Sequence, residues 1–266
     1  MDRLEAFSEL GWKHPLWELL RFYRSMGRGE AKKQEWLCLL KTQDLCAFPG
    51  YAASAIPIEK GISQLLDSYI KESAAQFEDT SGHLRTEKEA VSHCDRLGVS
   101  ITKTTTRSAD HYQSPKALVG AVTFIATEFC KQKGIQVDPN PQNRCVWISN
   151  DSMHVTTRRL DGAIPGLVNP VLLWEIKEYW GKTSGGSKMS DAVYECQLVG
   201  RELRDSEERI GFTATHVVFL DGLDQWGTRR SDFVRFMDLA NQGLIDHLIV
   251  GSEVEVQWER LLAAKL

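Results

Sequence analysis

Apolar positions recur along the first hundred residues at helical spacing. Leu16, Leu19, Leu20 and Tyr23 fall at i, i+3, i+4 and i+7, one face of a helix, and a basic, glycine-broken turn follows at Gly27-Arg28-Gly29. Residues 36–40 and 62–70 predict two more helices. Residues 77–85 are polar and read as a loop. Residues 87–97 predict a further helix, which Gly98 ends.

Near residue 110 the pattern changes. Ser114-Pro115 is a helix-start signal; Leu118, Val122, Ile125 and Phe129 then repeat at helical spacing until Gly134. Three segments suited to strands follow, 145–149, 154–160 and 171–176, separated by Asn150-Asp151-Ser152 and by the turn-rich stretch 162–170. A helix is predicted at about 191–204, a strand at 216–220, a helix at 233–240, a strand at 248–250 and a short helix at the end. The expected class is α/β (α+β): a helical N-terminal region, residues 1–110, joined to an α/β sandwich, residues 111–266. No internal repeat interrupts this order.

Composition narrows the function classes. The 266 residues carry 42% hydrophobic and 26% charged side chains, ordinary for a globular protein with a proper core. No apolar run approaches the roughly 20 residues that span a bilayer. The start, Met1-Asp2-Arg3-Leu4-Glu5, has acids where a signal peptide has bases, so a cytoplasmic location is expected, with no membrane partner. The six cysteines are scattered, without zinc-finger spacing, and read as buried free thiols. His93-Cys94 is too small a pair to argue for metal. Net charge of −4, with a pI near 6.0, argues against a protein that coats nucleic acid by bulk attraction. It leaves room for an enzyme with a local basic cleft.

The chemistry concentrates in Leu172-Leu173-Trp174-Glu175-Ile176-Lys177. An apolar strand here delivers a carboxylate, one apolar residue and an ammonium, and alternation puts Glu175 and Lys177 on one face. Asp161, at the end of the preceding predicted strand and before Gly162, can lie beside Glu175. Two carboxylates and a backbone carbonyl, that of Ile176, make a hard oxygen site suited to Mg²⁺. Such an ion polarises a phosphate and acidifies a bound water, while Lys177 balances charge and stabilises the transition state. Context matters, because Glu30-Ala31-Lys32 repeats the same spacing in a polar, glycine-flanked turn where it has no meaning.

The order helix, strand, strand with Asp161, strand with Glu175-Ile176-Lys177, helix, strand resembles the core of the PD-(D/E)XK nucleases across residues 115–222. The resemblance implies a mixed central sheet flanked by helices, with Asp161, Glu175 and Lys177 as the catalytic set. It makes Glu128 the candidate acid from the first core helix and Gln197 the candidate helix-borne glutamine. Leu160 stands where the family's nominal proline precedes the first acid. It further implies Mg²⁺-dependent hydrolysis of double-stranded DNA, in the manner of a type II restriction endonuclease working as a homodimer. A repair or defence nuclease of the same fold, or a non-enzymatic DNA-binding module, are the alternatives.

The loop after Lys177 combines aromatics, glycines, hydroxyls and lysines, so Lys182, Ser184 and Lys188 are candidate phosphate contacts. It fails the P-loop pattern because Ile176 stands where the first glycine belongs. Two basic pairs, Arg158-Arg159 beside the strand and Arg229-Arg230 before a helix, can line the same DNA-binding cleft, though each pair alone suits a solvated face. Trp147, Trp226 and Trp258 read as packing residues. Asp110-His111 lacks a nucleophile partner, and no G-x-S-x-G occurs.

Overall fold

The computed structural model describes residues 1–26, 29–43, 45–47, 55–57, 59–104, 113–149, 151–181 and 186–266. The chain forms two compact units, residues 4–77 and residues 1–3 with 78–266. The boundary therefore falls well before the expected residue 110. The physical reason is the helix at 87–97, whose apolar face packs into the second unit.

The smaller unit contains α1 (Glu5–Ser8), α2 (Leu16–Ser25), α3 (Glu30–Gln43), a short antiparallel pair β1 (Leu45–Ala47) and β2 (Ala55–Pro57), and α4 (Ile62–Ser81) as far as Phe77. Leu16, Leu20, Trp36, Leu66 and Tyr69 meet in its core. α4 continues to Ser81, so the polar stretch from Phe77 is helix where a loop was expected. Phe77 and Thr80 are buried, and that burial outweighs the polar composition. Glu30-Ala31-Lys32 opens α3, so it is helix where a turn was expected.

The larger unit is built on a sheet. α5 (Glu87–Leu97) begins with a capping box between Thr86 and Glu89 and ends at Gly98 with φ 70°. α6 (Ala117–Lys133) follows, closed by Gly134 with φ 67°. β3 (Val146–Ile148) and β4 (Met153–Val155) form a separate hairpin, not two strands of the main sheet as the order along the chain suggests. The main sheet has the order β5 (Gly162–Ile164), β6 (Leu172–Glu178), β7 (Thr215–Asp221), β8 (His247–Val250). β5 runs antiparallel to β6; β6, β7 and β8 run parallel. The mixed sheet is thus present, but its edge strand is a segment with the composition of a turn. α7 (Gly186–Ile210) makes the β6–β7 crossover. α8 (Leu223–Trp226) and α9 (Arg230–Asn241) make the next, and α10 (Val254–Lys265) ends the chain.

Alternation along β6 sorts its side chains into two layers. Leu172 and Trp174 join Val122 and Phe129 of α6, Phe219 of β7 and Trp258 of α10 in one core. Leu173 faces the other way, against Ala163, Val199 and Leu203. α6 and α10 cover the first face, α7 the second. Glu175 and Lys177 share the second face with Leu173, so α7 closes over them.

Candidate active site

Four elements converge on Glu175. The residue is 1% exposed, an expensive place for a carboxylate unless it is fully paired. Its Oε2 lies 3.0 Å from Lys177 Nζ and 2.5 Å from Arg158 Nη1. Its Oε1 lies 3.3 Å from His216 Nε2, on β7, and the other ring nitrogen of His216 lies 3.2 Å from the Leu244 carbonyl. From α7, Glu195 Oε2 reaches Lys177 Nζ at 2.9 Å and Arg158 Nη1 at 2.8 Å. Each cation therefore bridges the same two carboxylates.

Burial alone would push the Glu175 carboxyl up; Lys177, His216 and Arg158 outweigh it and hold the group well below the usual carboxylate range. Burial likewise works against the Lys177 ammonium, yet Glu175 raises it above the usual lysine range. The pair is charged because each member holds the other so. Beside it the Cys196 thiol is pushed well up by burial, which makes it an inert neutral neighbour.

Asp161 occupies the position just before β5. Its N–H donates to the Trp174 carbonyl at 3.0 Å, and its Oδ2 accepts from the Ile176 N–H at 2.7 Å. Continuing the Gly162–Trp174 register sets Asp161 opposite Glu175. Ile176 directs its N–H and its C=O to the same edge of β6, so its carbonyl faces the side where Asp161 stands. The residue keeps an exposed surface, yet the protein packed around its carboxyl pushes it up, against the pull of the Ile176 N–H and Lys177. Gly162 is required here, because a Cβ would stand inside the Trp174 ring.

Arg158 is held from behind. Thr156 is fully buried; its hydroxyl accepts from Cys145 N–H and donates to the Arg158 carbonyl at 2.8 Å. Thr157 donates both N–H and hydroxyl to Glu202 of α7. The backbone is pinned while the guanidinium, 31% exposed, stands at the mouth of the cluster.

The remaining sequence candidates lie elsewhere. Glu128 pairs with Lys131 at 3.8 Å and lines a groove of about 380 Å³ with Val99, Thr102 and Phe124. It stands apart from the Glu175 cluster, because the α6 face toward the sheet is the Leu118–Val122–Phe129 stripe. The expectation for Glu128 is corrected: the acid that joins from a helix is Glu195. Gln197 shares the α7 face of Ser190 and Tyr194, which contact Asp232 and Arg235 of α9, and turns away from Glu195. Lys188 is exposed, its carbonyl 3.4 Å from the Tyr179 hydroxyl. Arg159 is exposed and reaches the Gln142 carbonyl at 3.4 Å. Lys182, Ser184 and Asp110-His111 lie outside the described residues. Trp147 stacks on Phe212, while Trp226 and Trp258 are fully buried. Glu178, the last residue of β6, caps α6 by accepting from Leu118 and Val119 N–H at 3.0 and 3.2 Å.

Sequence reasoning missed Glu195, His216 and Glu202. Glu195 and Glu202 stand seven apart on one face of α7, a carboxylate stripe that spacing alone makes visible. His216 opens an apolar strand, with no signal of its own.

The donor set fits a hard divalent cation: the carboxylates of Asp161 and Glu175 and the carbonyl of Ile176 are all oxygen ligands. As they stand, Glu175 Oε2 is shared by two cationic side chains. Among the described residues no group of three or more His, Cys, Asp or Glu is arranged to hold a metal ion. No helix among them is long and apolar enough to cross a membrane.

Residues 71–265 match the model of a protein family described as a domain of unknown function, DUF7687, and the chain belongs to that family. No curated protein and no solved structure matches it.

Proposed function

We propose that this DUF7687 member is a Mg²⁺-dependent nuclease with a PD-(D/E)XK-type core and centre, hydrolysing phosphodiester bonds in double-stranded DNA. One observation carries the reading. Glu175 and Lys177 are buried side by side on one face of β6, with Asp161 opposite Glu175 across the edge strand. Desolvating such a pair gains little stability over well-packed apolar residues, so a strand that keeps it has another use for it.

Asp161, Glu175 and the Ile176 carbonyl would hold the ion, which when bound supplies Lewis acidity and an acidified water. The chain's own groups do the rest. Lys177 Nζ orients the attacking water and stabilises the negative charge that builds on the phosphoryl oxygens as the new P–O bond forms and the strand's P–O bond breaks, the water's proton passing to solvent and the departing oxygen taking one from it. His216 holds Oε1 of Glu175 and leaves Oε2 turned toward Lys177. Arg158, Arg159 and Lys188, with Lys182 and Ser184, are the proposed phosphate contacts. A sequence-specific restriction role as a homodimer in the cytoplasm is part of the proposal; it follows from the family resemblance.

The test is incubation of unmodified plasmid and phage DNA with the full chain and Mg²⁺, beside EDTA, Lys177→Ala and Glu175→Gln controls. Discrete bands lost in every control are expected. A smear lost in the same controls keeps the centre and replaces restriction by a repair or defence role. Cleavage that survives Lys177→Ala sinks the assignment.

A second reading, a non-enzymatic DNA-binding module, draws on the closed network itself. With Glu175 and Glu195 each paired to both cations, the cluster is satisfied without metal. It predicts DNA binding that is indifferent to Mg²⁺ and to Glu175→Gln.

A further inference from the structure

The two cations on Glu175 are not equivalent. Lys177 projects from the middle of the sheet with 6% of its side chain exposed, and α7 lies over it. Arg158 projects from the β4–β5 connection with 31% exposed, on a backbone that Thr156 and Thr157 fix to the β3–β4 hairpin and α7. Lys177 cannot leave without opening the core. Arg158 can, because its side-chain torsions turn it outward while its backbone stays in place.

Charge supplies a reason to leave. Asp161, Glu175 and Glu195 bring three carboxylates to the cluster; Lys177 and Arg158 bring two cations. A divalent ion held by Asp161 and Glu175 would stand against a guanidinium already 2.5 Å from Glu175 Oε2. Like charges at such separation repel, and at the mouth of the site water screens them only in part. A guanidinium released at the mouth of the site is also well shaped for its next partner, because its planar fork binds phosphate oxygens two at a time.

We propose that Arg158 keeps the metal's place: it occupies Glu175 Oε2 until a divalent cation displaces it, then turns outward and binds a DNA phosphate. The proposal rests on the nuclease reading and adds to it an order of events. Metal enters by exchange with Arg158, and the same side chain makes metal-loaded protein better at holding DNA than metal-free protein.

The experiment is Mn²⁺ binding to the full chain without DNA, read from the paramagnetic resonance signal of the free ion. Arg158→Gln is expected to bind Mn²⁺ about tenfold tighter than the wild type, a difference of about 1.4 kcal/mol. With Ca²⁺ as a non-cleaving ion, the same variant is expected to bind duplex DNA about tenfold more weakly, since a bidentate phosphate contact is gone. Arg158→Lys keeps the charge without the fork, so its Mn²⁺ affinity stays near wild type while its DNA affinity falls. Unchanged or weaker Mn²⁺ binding by folded Arg158→Gln overturns the exchange. If the wild type binds Mn²⁺ and Glu175→Gln does not, the nuclease reading survives that loss. Absence of Mn²⁺ binding to all the proteins at millimolar ion overturns both. Should Arg158→Gln not fold, Arg158→Lys decides through DNA affinity, which with Ca²⁺ must fall and without divalent ion must not.

Discussion

At Glu175 two opposed effects meet on one carboxyl. Burial favours its neutral form, and three cationic or hydrogen-bonding neighbours favour the charged one and win. The balance makes the neighbours hard to remove. Lys177→Ala leaves an anion with Arg158 and His216 as its remaining partners, and unpairing a buried charge costs about 3–5 kcal/mol. Since Arg158 stays partly in place, the lower end of that range is expected, seen as a lowered urea midpoint at unchanged slope. A midpoint within error of wild type shows that the pair contributes nothing to folding. Gly162→Ala is the steric counterpart. Its methyl has no space beside the Trp174 ring, so overpacking of about 1–3 kcal/mol or more is expected, together with displacement of Asp161. A crystal structure of the variant with Asp161 still bonded to the Ile176 N–H refutes the displacement.

The elements differ in how plainly the sequence announces them. α5 carries its own punctuation, Thr86 and Glu89 at the start and Gly98 at the end, and its limits are legible to the residue. Thr86→Ala should lower thermal stability by about 1 kcal/mol, the usual value of such a cap, and an unchanged melting temperature would contradict the capping box. β6 is legible because charges at alternate positions of an apolar strand are costly to bury unless partners meet them there. β5 is not, since Gly-Ala-Ile with Pro165 behind it has the composition of a turn. It is a strand through its pairing with β6, a contact made across ten residues of chain. The local pattern therefore gives Asp161 its right neighbour but sets it at the end of one strand, when it opens another. Glu195 and His216 are hard to place for a deeper reason: spacing shows Glu195 on a carboxylate face of α7, but its meeting with Lys177 and Arg158, like that of His216 with Glu175, is made through the β6–β7 crossover, which no local pattern encodes. Glu128 fails because helical spacing says which residues share a face without saying which face meets the sheet.

Over the whole molecule, charge and protons set the behaviour to expect. His93, His154 and His247 are each pushed below the usual value of about 6.5, chiefly by burial. The folded chain then takes up fewer protons than the unfolded one. This contribution to stability is complete above about pH 6.5 and drains away as pH falls from there through the folded values. Buried acids pushed upward, Glu178 and Asp221 among them, have the opposite slope. Comparing wild type with His154→Phe isolates the histidine part: the stability difference between them should change in the variant's favour below about pH 6.5. A pH-independent difference refutes it. If DNA is the substrate, as proposed, a net charge of −4 implies that a local patch holds it, so affinity should fall with salt at a slope set by few phosphate contacts. Raising KCl from 50 to 200 mM, about a fourfold step, should weaken binding measurably; insensitivity to salt argues against phosphate contact.

The cluster under α7 also bears on how this protein would respond to laboratory evolution. A buried Glu–Lys pair, with Arg158 at its mouth, is often worth no more to folding than apolar side chains of the same volume. Selection for heat resistance alone would therefore drift toward Leu at Glu175, Met at Lys177 and an uncharged residue at Arg158. On the proposed nuclease reading such clones would gain heat resistance and lose activity, whereas a screen that also demands activity would return the three charges and find its stabilising changes elsewhere.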